Sequence, residues 1–417
     1  MGNRSIDGRP RTEKPPEIGR YALSLDVSGR RVVVVGGGPV AARRVAGLLG
    51  AGAQVVVVSP WLCEDLAEAA SAERIEWRDR EYRSGDLDGA WLACTAAGDR
   101  DVDAAVAADA EVQRVWCVNA GDASSSSAWT PAVARVDDVQ VAVNAGGDPR
   151  RAMRLRDAVA AALESGDLPL RRHRTPSPGT LGSVALVGGG PGDTGLITAR
   201  GRRLLAQADV VVVDRLGPRA LLDALDGDVL VVDVGKTPGH HPVPQHEINA
   251  LLVQHALLGR RVVRLKGGDP YVLGRGGEEL QACEDAGVPV EVVPGVTSAV
   301  SVPAAAGIPV THRGVARSFS VLTGHDEIGD VPGGADHTLV LLMGVTTLAG
   351  TCRALIRGGR PGTTPVAVVE DGYGPRQRVT VGTLETIAQR AADAGVEPPA
   401  VTVVGDVVRL SPHWVAG

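Results

Sequence analysis

Three predicted strands in the second half of the chain end next to residues that could bind a ligand. Asp214 follows the valine run 210–213, Lys236 follows a second apolar run, and a Gly-Gly-Asp turn at 267–269 follows a third. Ligands collect outside the carboxyl ends of strands in an open α/β sheet. These residues are therefore predicted to lie at one site, although Asp214 could also serve only as a helix cap.

Lysine is rare in this chain. Of the 43 basic residues only Lys14, Lys236 and Lys266 are lysines. Arginine serves wherever a surface needs only charge, whereas lysine offers a compact point charge that can change its protonation state. Lys236 and Lys266 are accordingly candidates for chemistry or for binding a carboxylate, and chance retention is the alternative.

The first of two glycine-rich loops fits a dinucleotide fingerprint. Gly36, Gly38 and Ala41 match G-x-G-x-x-G/A between a four-valine strand and a helix. Backbone N–H groups at the start of that helix could hold a pyrophosphate, and a ligand-free turn is the alternative. The segment 59–61 after the next strand offers neither an acid nor an arginine to a ribose, which leaves NAD favoured over NADP. The predicted NAD contacts are Gly36, Gly38, Pro39, Val40, Pro60 and Trp61.

The second glycine-rich loop, at 188–193, cannot open a standard nucleotide-binding helix. Pro191 and Gly192 impose an extended, turning backbone where that helix would begin. A ligand at this loop must therefore be held in a different way.

The elements that position these residues belong to an α/β fold. A strand, glycine turn, helix and strand between 31 and 58 form a βαβ unit, and the strand pattern restarts after a Pro-, Ser- and Arg-rich segment. The fold class is α/β: an N-terminal Rossmann-like NAD domain with a helical dimerisation segment, followed by a two-lobed α/β domain. The predicted divisions are a disordered tail at 1–18, the Rossmann-like domain at 19–133, the dimerisation and helical segment at 134–170, a linker at 171–182 and the two-lobed domain at 183–417.

Composition narrows the function to small-molecule chemistry. A net charge of −6 argues against nucleic acid or an acidic membrane as partner. The five cysteines are scattered without a close pair, no apolar run has the length of a membrane span, and no signal-peptide pattern is found. A cytoplasmic enzyme is predicted.

The second half resembles the uroporphyrinogen-III C-methyltransferase family, which uses S-adenosylmethionine (SAM). The matching motifs are GPGD at 190–193, DRL at 214–216, GK at 235–236, HPVPQxEIN at 241–249, RLKGGDPxxxGRGGEE at 264–279, VPGVTSA at 293–299, PAxAGIPxTHRG at 303–314, TGH at 323–325 and MGV at 343–345. The resemblance implies a tetrapyrrole substrate that is methylated at C2 and C7.

The same resemblance implies roles for individual residues. The family's proton acceptor corresponds to Asp214 and its proton donor to Lys236. The implied SAM contacts are Pro191, Gly267, Gly268, Asp269, Val272, Thr297, Ser298, Met343 and Gly372. The remaining basic residues of these motifs are candidates to bind substrate carboxylates, namely Arg264, Lys266, Arg275 and Arg313.

The first half resembles, more loosely, the precorrin-2 dehydrogenase/ferrochelatase module that is fused to this methyltransferase in siroheme synthases. The supporting motifs are GGGPVAARRV at 36–45, CVNAGD at 117–122, Ser127 with Trp129 and Pro131, and NAGGDPRRAMRLRD at 144–157. The resemblance implies NAD-dependent oxidation of precorrin-2 to sirohydrochlorin, insertion of Fe(II) as a substrate to give siroheme, and a homodimer joined through 134–170.

One position departs from that module. The family carries an aspartate directly after this strand end, whereas this chain has Ala96 and a loop longer by about two residues. Asp99 or Asp101 is the expected replacement. Dehydrogenation is expected to persist, because hydride transfer depends mainly on position, and iron insertion is expected to be weak.

Two further interpretations stay open. The chain could be a methyltransferase only, with a first domain that binds NAD or dimerises and a product that feeds cobalamin synthesis. It could also be another tetrapyrrole methylase of the same fold, which the HPVPQ and RLKGGDP motifs disfavour. The histidines His240, His241 and His246 lack a fourth ligand at zinc spacing, so the sequence predicts no metal site there.

Overall fold

A computed structural model describes residues 21–168, 179–223, 225, 227–235, 243–324, 334 and 336–414. Within these residues the chain divides into two compact units. The first comprises the residues up to Ala134 together with Val141–Arg156, and the second comprises Arg135–Gln140 and the residues from Asp157 onward.

The first unit is built on a five-stranded parallel sheet with the order β3-β2-β1-β4-β5. Its elements are β1 (Arg31–Val35), α1 (Pro39–Gly50), β2 (Gln54–Val58), α2 (Glu64–Ser71), β3 (Glu76–Arg78), β4 (Leu92–Thr95), α3 (Arg100–Gln113) and β5 (Trp116–Asn119). Valines fill β1 and β2 without alternation, because helices cover both faces of a parallel sheet. The predicted Rossmann-like fold is confirmed.

A hairpin and a long helix follow this sheet. They are β6 (Ala132–Val136), β7 (Val139–Val143) and α4 (Pro149–Ser165). On α4, Met153 and Leu155 are each 45% exposed. The residues of the predicted dimerisation segment are divided between the two units.

The first lobe of the second unit is also a parallel sheet, with the order β10-β9-β11-β8-β12. Its elements are β8 (Ser183–Gly188), α5 (Ala199–Ala206), β9 (Val210–Val213), β10 (Leu230–Asp233), α6 (Gln245–Leu257), β11 (Arg261–Lys266), α7 (Gly276–Asp285) and β12 (Val290–Val293). The two faces of the sheet bury separate cores. Val262 of β11 packs with residues of α6 and α7, whereas Val263 and Leu265 pack with Leu205 of α5.

The second lobe is a mixed sheet with the order β13-β14-β17-β15-β16. Its elements are α8 (Ser298–Ala305), β13 (Ser318–Thr323), β14 (His337–Leu342), α9 (Leu348–Arg357), β15 (Pro365–Glu370), β16 (Arg378–Thr383), α10 (Ile387–Asp393) and β17 (Ala400–Val404). Only β13 and β14 are parallel neighbours, and β17 runs antiparallel between β14 and β15. Two sheets in one unit confirm the predicted two-lobed α/β fold.

The predicted tail at 1–18 and most of the predicted linker lie outside the described residues. None of the helices in the described ranges is both long and apolar enough to cross a membrane.

Candidate active sites

The glycine loops of the second unit meet at the carboxyl ends of β8 and β11. Gly190 and Gly268 form an antiparallel bridge, with N–H to O distances of 3.2 and 2.7 Å. A β-carbon at Gly188 would lie 2.5 Å from the backbone of Gly295, so these loops can approach so closely only as glycine. The strands therefore place three loops against one another at this edge of the sheet.

Asp269 fixes the relative position of two of these loops. One carboxylate oxygen accepts the Tyr271 N–H at 2.8 Å, and the other accepts the Gly295 N–H at 3.0 Å. Thr297 caps α8 by accepting the Ala299 N–H at 3.3 Å. The Ser298 amide lies 3.4 Å from the β-carbon position of Gly268. Of the predicted SAM contacts, the structure thus gathers the 267–269 turn, Thr297 and Ser298, and Pro191 directly follows Gly190.

The remaining predicted SAM contacts belong to the border with the second lobe. Val272 packs against a core that includes Val302 of α8 and residues of the second sheet. A β-carbon at Gly372 would lie 2.6 Å from a methyl group of Val302, so the loop after β15 also reaches α8. Met343 follows β14, is 41% exposed and has a left-handed backbone with φ of +59°. Such backbone strain is concentrated at functional sites.

Asp214 is held from both sides. Oδ1 accepts the N–H groups of Leu216 and Gly217 at 3.0 and 2.9 Å, and Oδ2 accepts a guanidinium hydrogen of Arg264 at 3.0 Å. The side chain is 29% exposed. A β-carbon at Gly267 would lie 2.6 Å from the Leu216 carbonyl oxygen, so the Asp214 loop abuts the glycine turn of β11.

Behind Asp214 lies a fully buried carboxylate, Glu279 of α7. Its Oε1 accepts hydrogen bonds from Arg264 at 3.0 Å and from Lys266 at 3.0 Å, and its Oε2 accepts a second one from Lys266 at 2.9 Å. Gln245 of α6 donates to the same Oε1 at 3.1 Å. Glu279 is 0% exposed, whereas Arg264 and Lys266 are 3% and 4% exposed.

This network balances its charge only when Asp214 is included. Two buried cations face one buried carboxylate, and Asp214 supplies the second negative charge. Burial, and then the neighbouring Arg264, lower the pKa of Lys266, while Glu279 opposes that shift. The hydrogen bonds to both oxygens hold the Asp214 side chain in a fixed orientation.

The sequence interpretation of the basic residues is corrected in two cases. Arg264 and Lys266 are not available to substrate carboxylates, because both are buried and directed to Glu279. Arg275 pairs with Glu278 at the surface, and Arg313 is exposed. Lys236, the predicted proton donor, lies outside the described residues, as do His240 and His241.

In the first unit, the glycine turn and the segment after β2 are packed together. The Gly36 amide donates to Val58 at 3.0 Å, and the Cys63 amide donates to Gly37 at 2.7 Å. The Trp61 ring lies 3.5 Å from the β-carbon position of Gly38, where α1 begins without a side-chain cap. Pro39 occupies the first turn of α1, and Val40, Pro60 and Trp61 are exposed. The first-turn amides of α1 thus fit a pyrophosphate.

The acidic residues after β4 are arranged differently from the sequence expectation. Asp99 caps α3, accepting the N–H groups of Asp101 and Val102 at 2.9 and 3.4 Å, and Asp101 is exposed. The buried acid is Asp103, which accepts the Thr95 hydroxyl and, at 3.1 Å, the Ala97 N–H. The sequence interpretation missed Asp103, although its spacing from the buried Val106 and Ala110 of α3 marks the sheet-facing side of that helix.

No group of three or more potential metal-ligating side chains is found in the described part of the chain.

Comparison with known proteins finds a matching family for each of the two units. Residues 183–388 match the family of Tetrapyrrole (Corrin/Porphyrin) Methylases, and residues 23–132 match an NAD(P)-binding family. The siroheme synthase of Chromobacterium violaceum is 37% identical over 94% of this chain and 95% of its own length. Siroheme synthase 1 of Halorhodospira halophila is 36% identical over 95% of each chain. The chain belongs to the siroheme synthase family.

A solved structure, the uroporphyrin-III-C-methyltransferase of Thermus thermophilus, is 43% identical and covers 55% of this chain and 94% of its own, with a TM-score of 0.48. As a siroheme synthase family member, the chain is a multifunctional enzyme of siroheme biosynthesis that joins a methyltransferase to a dehydrogenase. The predicted family is confirmed.

Replacing Glu279 tests the buried network. Glu279→Gln leaves two buried cations with too little negative charge, and we expect it to lower the free energy of unfolding by about 3 to 5 kcal/mol. The measurement is urea unfolding of the full chain followed by circular dichroism.

The matched control is Glu278→Gln, which removes the neighbouring surface carboxylate that pairs with Arg275. We expect a change of about 1 kcal/mol or less for it. Adding Lys266→Met to Glu279→Gln should restore part of the loss. Equal effects of Glu278→Gln and Glu279→Gln would contradict the network.

Proposed function

We propose that the second unit methylates uroporphyrinogen III at C2 and C7 on the loops described above. Bound SAM supplies an electrophilic methyl group. The observation that carries the residue assignment is the fixed carboxylate of Asp214 beside the glycine turn of β11. When the ring carbon takes up a methyl group it has no hydrogen of its own to lose, so the substrate releases a proton from a pyrrole nitrogen or a bridging methylene. The Asp214 carboxylate is the proposed acceptor of that proton, and Lys236 is the proposed proton donor.

The residues around the loops have separate parts in this proposal. The glycine loops and the amide of Ser298 would contact the cofactor through backbone atoms. Met343 would contribute an apolar surface for the adenine. Val272 and Gly372 close the cofactor site from the second lobe. Asp269 holds the loops in register through Tyr271 and Gly295, which fixes the positions of the backbone atoms that would hold the cofactor.

Substitution of the two proposed acid–base residues separates binding from chemistry. Asp214→Asn and Lys236→Met should each bind SAM with wild-type affinity and lose turnover by roughly 100- to 10,000-fold. Affinity is measured by isothermal titration, and turnover by anaerobic conversion of uroporphyrinogen III. Wild-type turnover in both variants would remove these residues from the mechanism.

We propose that the first unit oxidises precorrin-2 with NAD and then inserts Fe(II) weakly. Bound NAD accepts a hydride. The turn from Gly36 to Gly38, with Pro39, Val40, Pro60 and Trp61, forms the proposed cofactor contacts. The Ala96 side chain carries no oxygen at the end of β4. Asp99 or Asp101 is therefore the proposed source of the carboxylate that accepts the pyrrole protons. Asp99 can serve in this way only by releasing the first turn of α3.

Two variants test this assignment. We expect the wild-type enzyme to form NADH from precorrin-2 and to accumulate sirohydrochlorin when iron is scarce. One of Asp99→Asn and Asp101→Asn should lose both NADH formation and siroheme formation by roughly 100-fold or more. NADH absorbance and the pigment spectrum under anaerobic conditions are the two measurements.

Wild-type rates of siroheme formation in both variants would exclude the displaced carboxylate. Absence of NADH formation in the wild type would instead favour the alternative function, a methyltransferase whose first unit only binds NAD or dimerises.

We also propose that the enzyme is a cytoplasmic homodimer joined through residues 134–170. The exposed Met153 and Leu155 on α4 support this interface. Light scattering at micromolar concentration should give about twice the 42.9 kDa of one chain. Met153→Glu should shift the mass toward one chain, whereas a monomeric wild type would exclude the dimer.

A further inference from the structure

A polar cavity lies in the second lobe, at the end of the mixed sheet opposite to the end that carries Met343. Its volume is about 380 Å³, and its lining includes His337, Arg360, Gly405, Asp406 and Arg409. His337 opens β14, whereas Met343 follows the other end of that six-residue strand. At about 3.3 Å per residue the two ends are roughly 20 Å apart. The cavity is thus distinct from the proposed SAM site.

Arg360 is the unusual residue of this cavity. It is 9% exposed, and its only hydrogen bond from the guanidinium to a described residue is a long one of 3.5 Å from Nη1 to the His337 carbonyl oxygen. Nη2 is buried and has no hydrogen-bond partner. Burial lowers the pKa of Arg360, and no acid of the described residues offsets that shift. A buried guanidinium without a carboxylate is costly, so an anion at this position would stabilise the fold.

A second unsatisfied polar atom lies near Gly405, one of the lining residues. The hydroxyl of Thr338 is buried without a hydrogen-bond partner. It lies 3.6 Å from the β-carbon position of Gly405, which lines the cavity. The other two unsatisfied side-chain atoms of the described residues belong to Arg31 and Arg44 in the first unit. Among the described residues of the second unit, one unsatisfied residue, Arg360, lines the cavity, and the other, Thr338, lies behind Gly405.

The lining favours a negative charge. Arg409 pairs with Asp406 at 3.2 Å, so these two side chains largely cancel. Both ring nitrogens of His337 are hydrogen-bonded, to Ser318 and Ser320 at 2.9 and 3.0 Å. Burial, together with the neighbouring Arg360, lowers the pKa of His337 and keeps the ring neutral. The positive charge of Arg360 is therefore not balanced by an acid of the described residues.

We propose that this cavity binds a small oxyanion, which accepts hydrogen bonds from the Arg360 guanidinium. A carboxylate and a phosphate share this chemistry, since both offer oxygens that match the fork of a guanidinium. The site is separate from both proposed reactions of the enzyme.

The experiment is a thermal-unfolding titration of the full-length protein with inorganic phosphate or with acetate, each against sodium chloride at the same ionic strength. The wild-type midpoint should rise with at least one oxyanion and not with chloride. A larger response to phosphate or to acetate identifies which class the site prefers.

Arg360→Gln should weaken the response by about tenfold or more, because it removes a charge-assisted hydrogen bond. In chloride alone it should unfold at the wild-type temperature or above, since it removes a buried charge that lacks an acid. The control is Arg353→Gln, an exposed arginine of α9, the helix that ends shortly before Arg360. This variant should keep the wild-type response.

Two outcomes would overturn the site. One is an oxyanion response that survives in Arg360→Gln. The other is a wild type that responds to neither oxyanion, which would indicate a water-filled cavity. If Arg360→Gln does not fold, Arg409→Gln is the second test. Removing Arg409 leaves the carboxylate of Asp406 unpaired at the rim of the cavity, and its repulsion should weaken the response to an oxyanion. An unchanged response counts against the proposal.

Discussion

The buried carboxylate of Glu279 is the constraint on which the methyltransferase unit depends. Alternate residues of β11 point to opposite faces, so Arg264 and Lys266 both face α7 while Leu265 enters the opposite core. Lys266 is also the last residue before the glycine turn, and Arg264 reaches Asp214. One carboxylate therefore fixes the end of the central strand, the start of the glycine turn and the orientation of the proposed proton acceptor. Apolar residues in place of Glu279, Arg264 and Lys266 together could fill the same core, but they would offer no group to orient Asp214.

Both units place an acid on the sheet-facing side of a helix. Glu279 is buried in α7 with Gly276 and Cys283, and Asp103 is buried in α3 with Val106 and Ala110. In both cases the spacing is i, i+3, i+7, the spacing of an apolar stripe. Each acid satisfies groups at the end of a neighbouring strand, Lys266 of β11 in one unit and Thr95 of β4 in the other. An acid within an apolar helical stripe is thus a sign of a polar contact at a strand end.

The sequence predicts the strands and turns of this protein better than it predicts its polar pairs. Valine runs and glycine turns are local signals. They predict the α/β fold class and a turn at 267–269 directly after a strand, and the structure has both. The partner of Lys266 depends instead on which face of β11 meets α7, and that is a tertiary property. For the same reason the sequence left Arg264 and Lys266 as candidates to bind substrate carboxylates, whereas both are buried against Glu279. The predicted roles of Asp214 and Lys236 rest on family resemblance, and Lys236 falls outside the described residues.

The position of Asp103 explains how the first unit can keep its nucleotide turn without an acid directly after β4. The Ala96 carbonyl oxygen would lie 2.3 Å from a β-carbon at Gly36, so the loop after β4 is in close contact with the glycine turn. Asp103 anchors the base of that loop by accepting hydrogen bonds from the Thr95 hydroxyl and the Ala97 N–H. Because the anchor is at the base of the loop, a change at its tip leaves the glycine turn in place. Hydride transfer depends on how the cofactor and substrate are positioned, and this anchor leaves the nucleotide-binding turn in place.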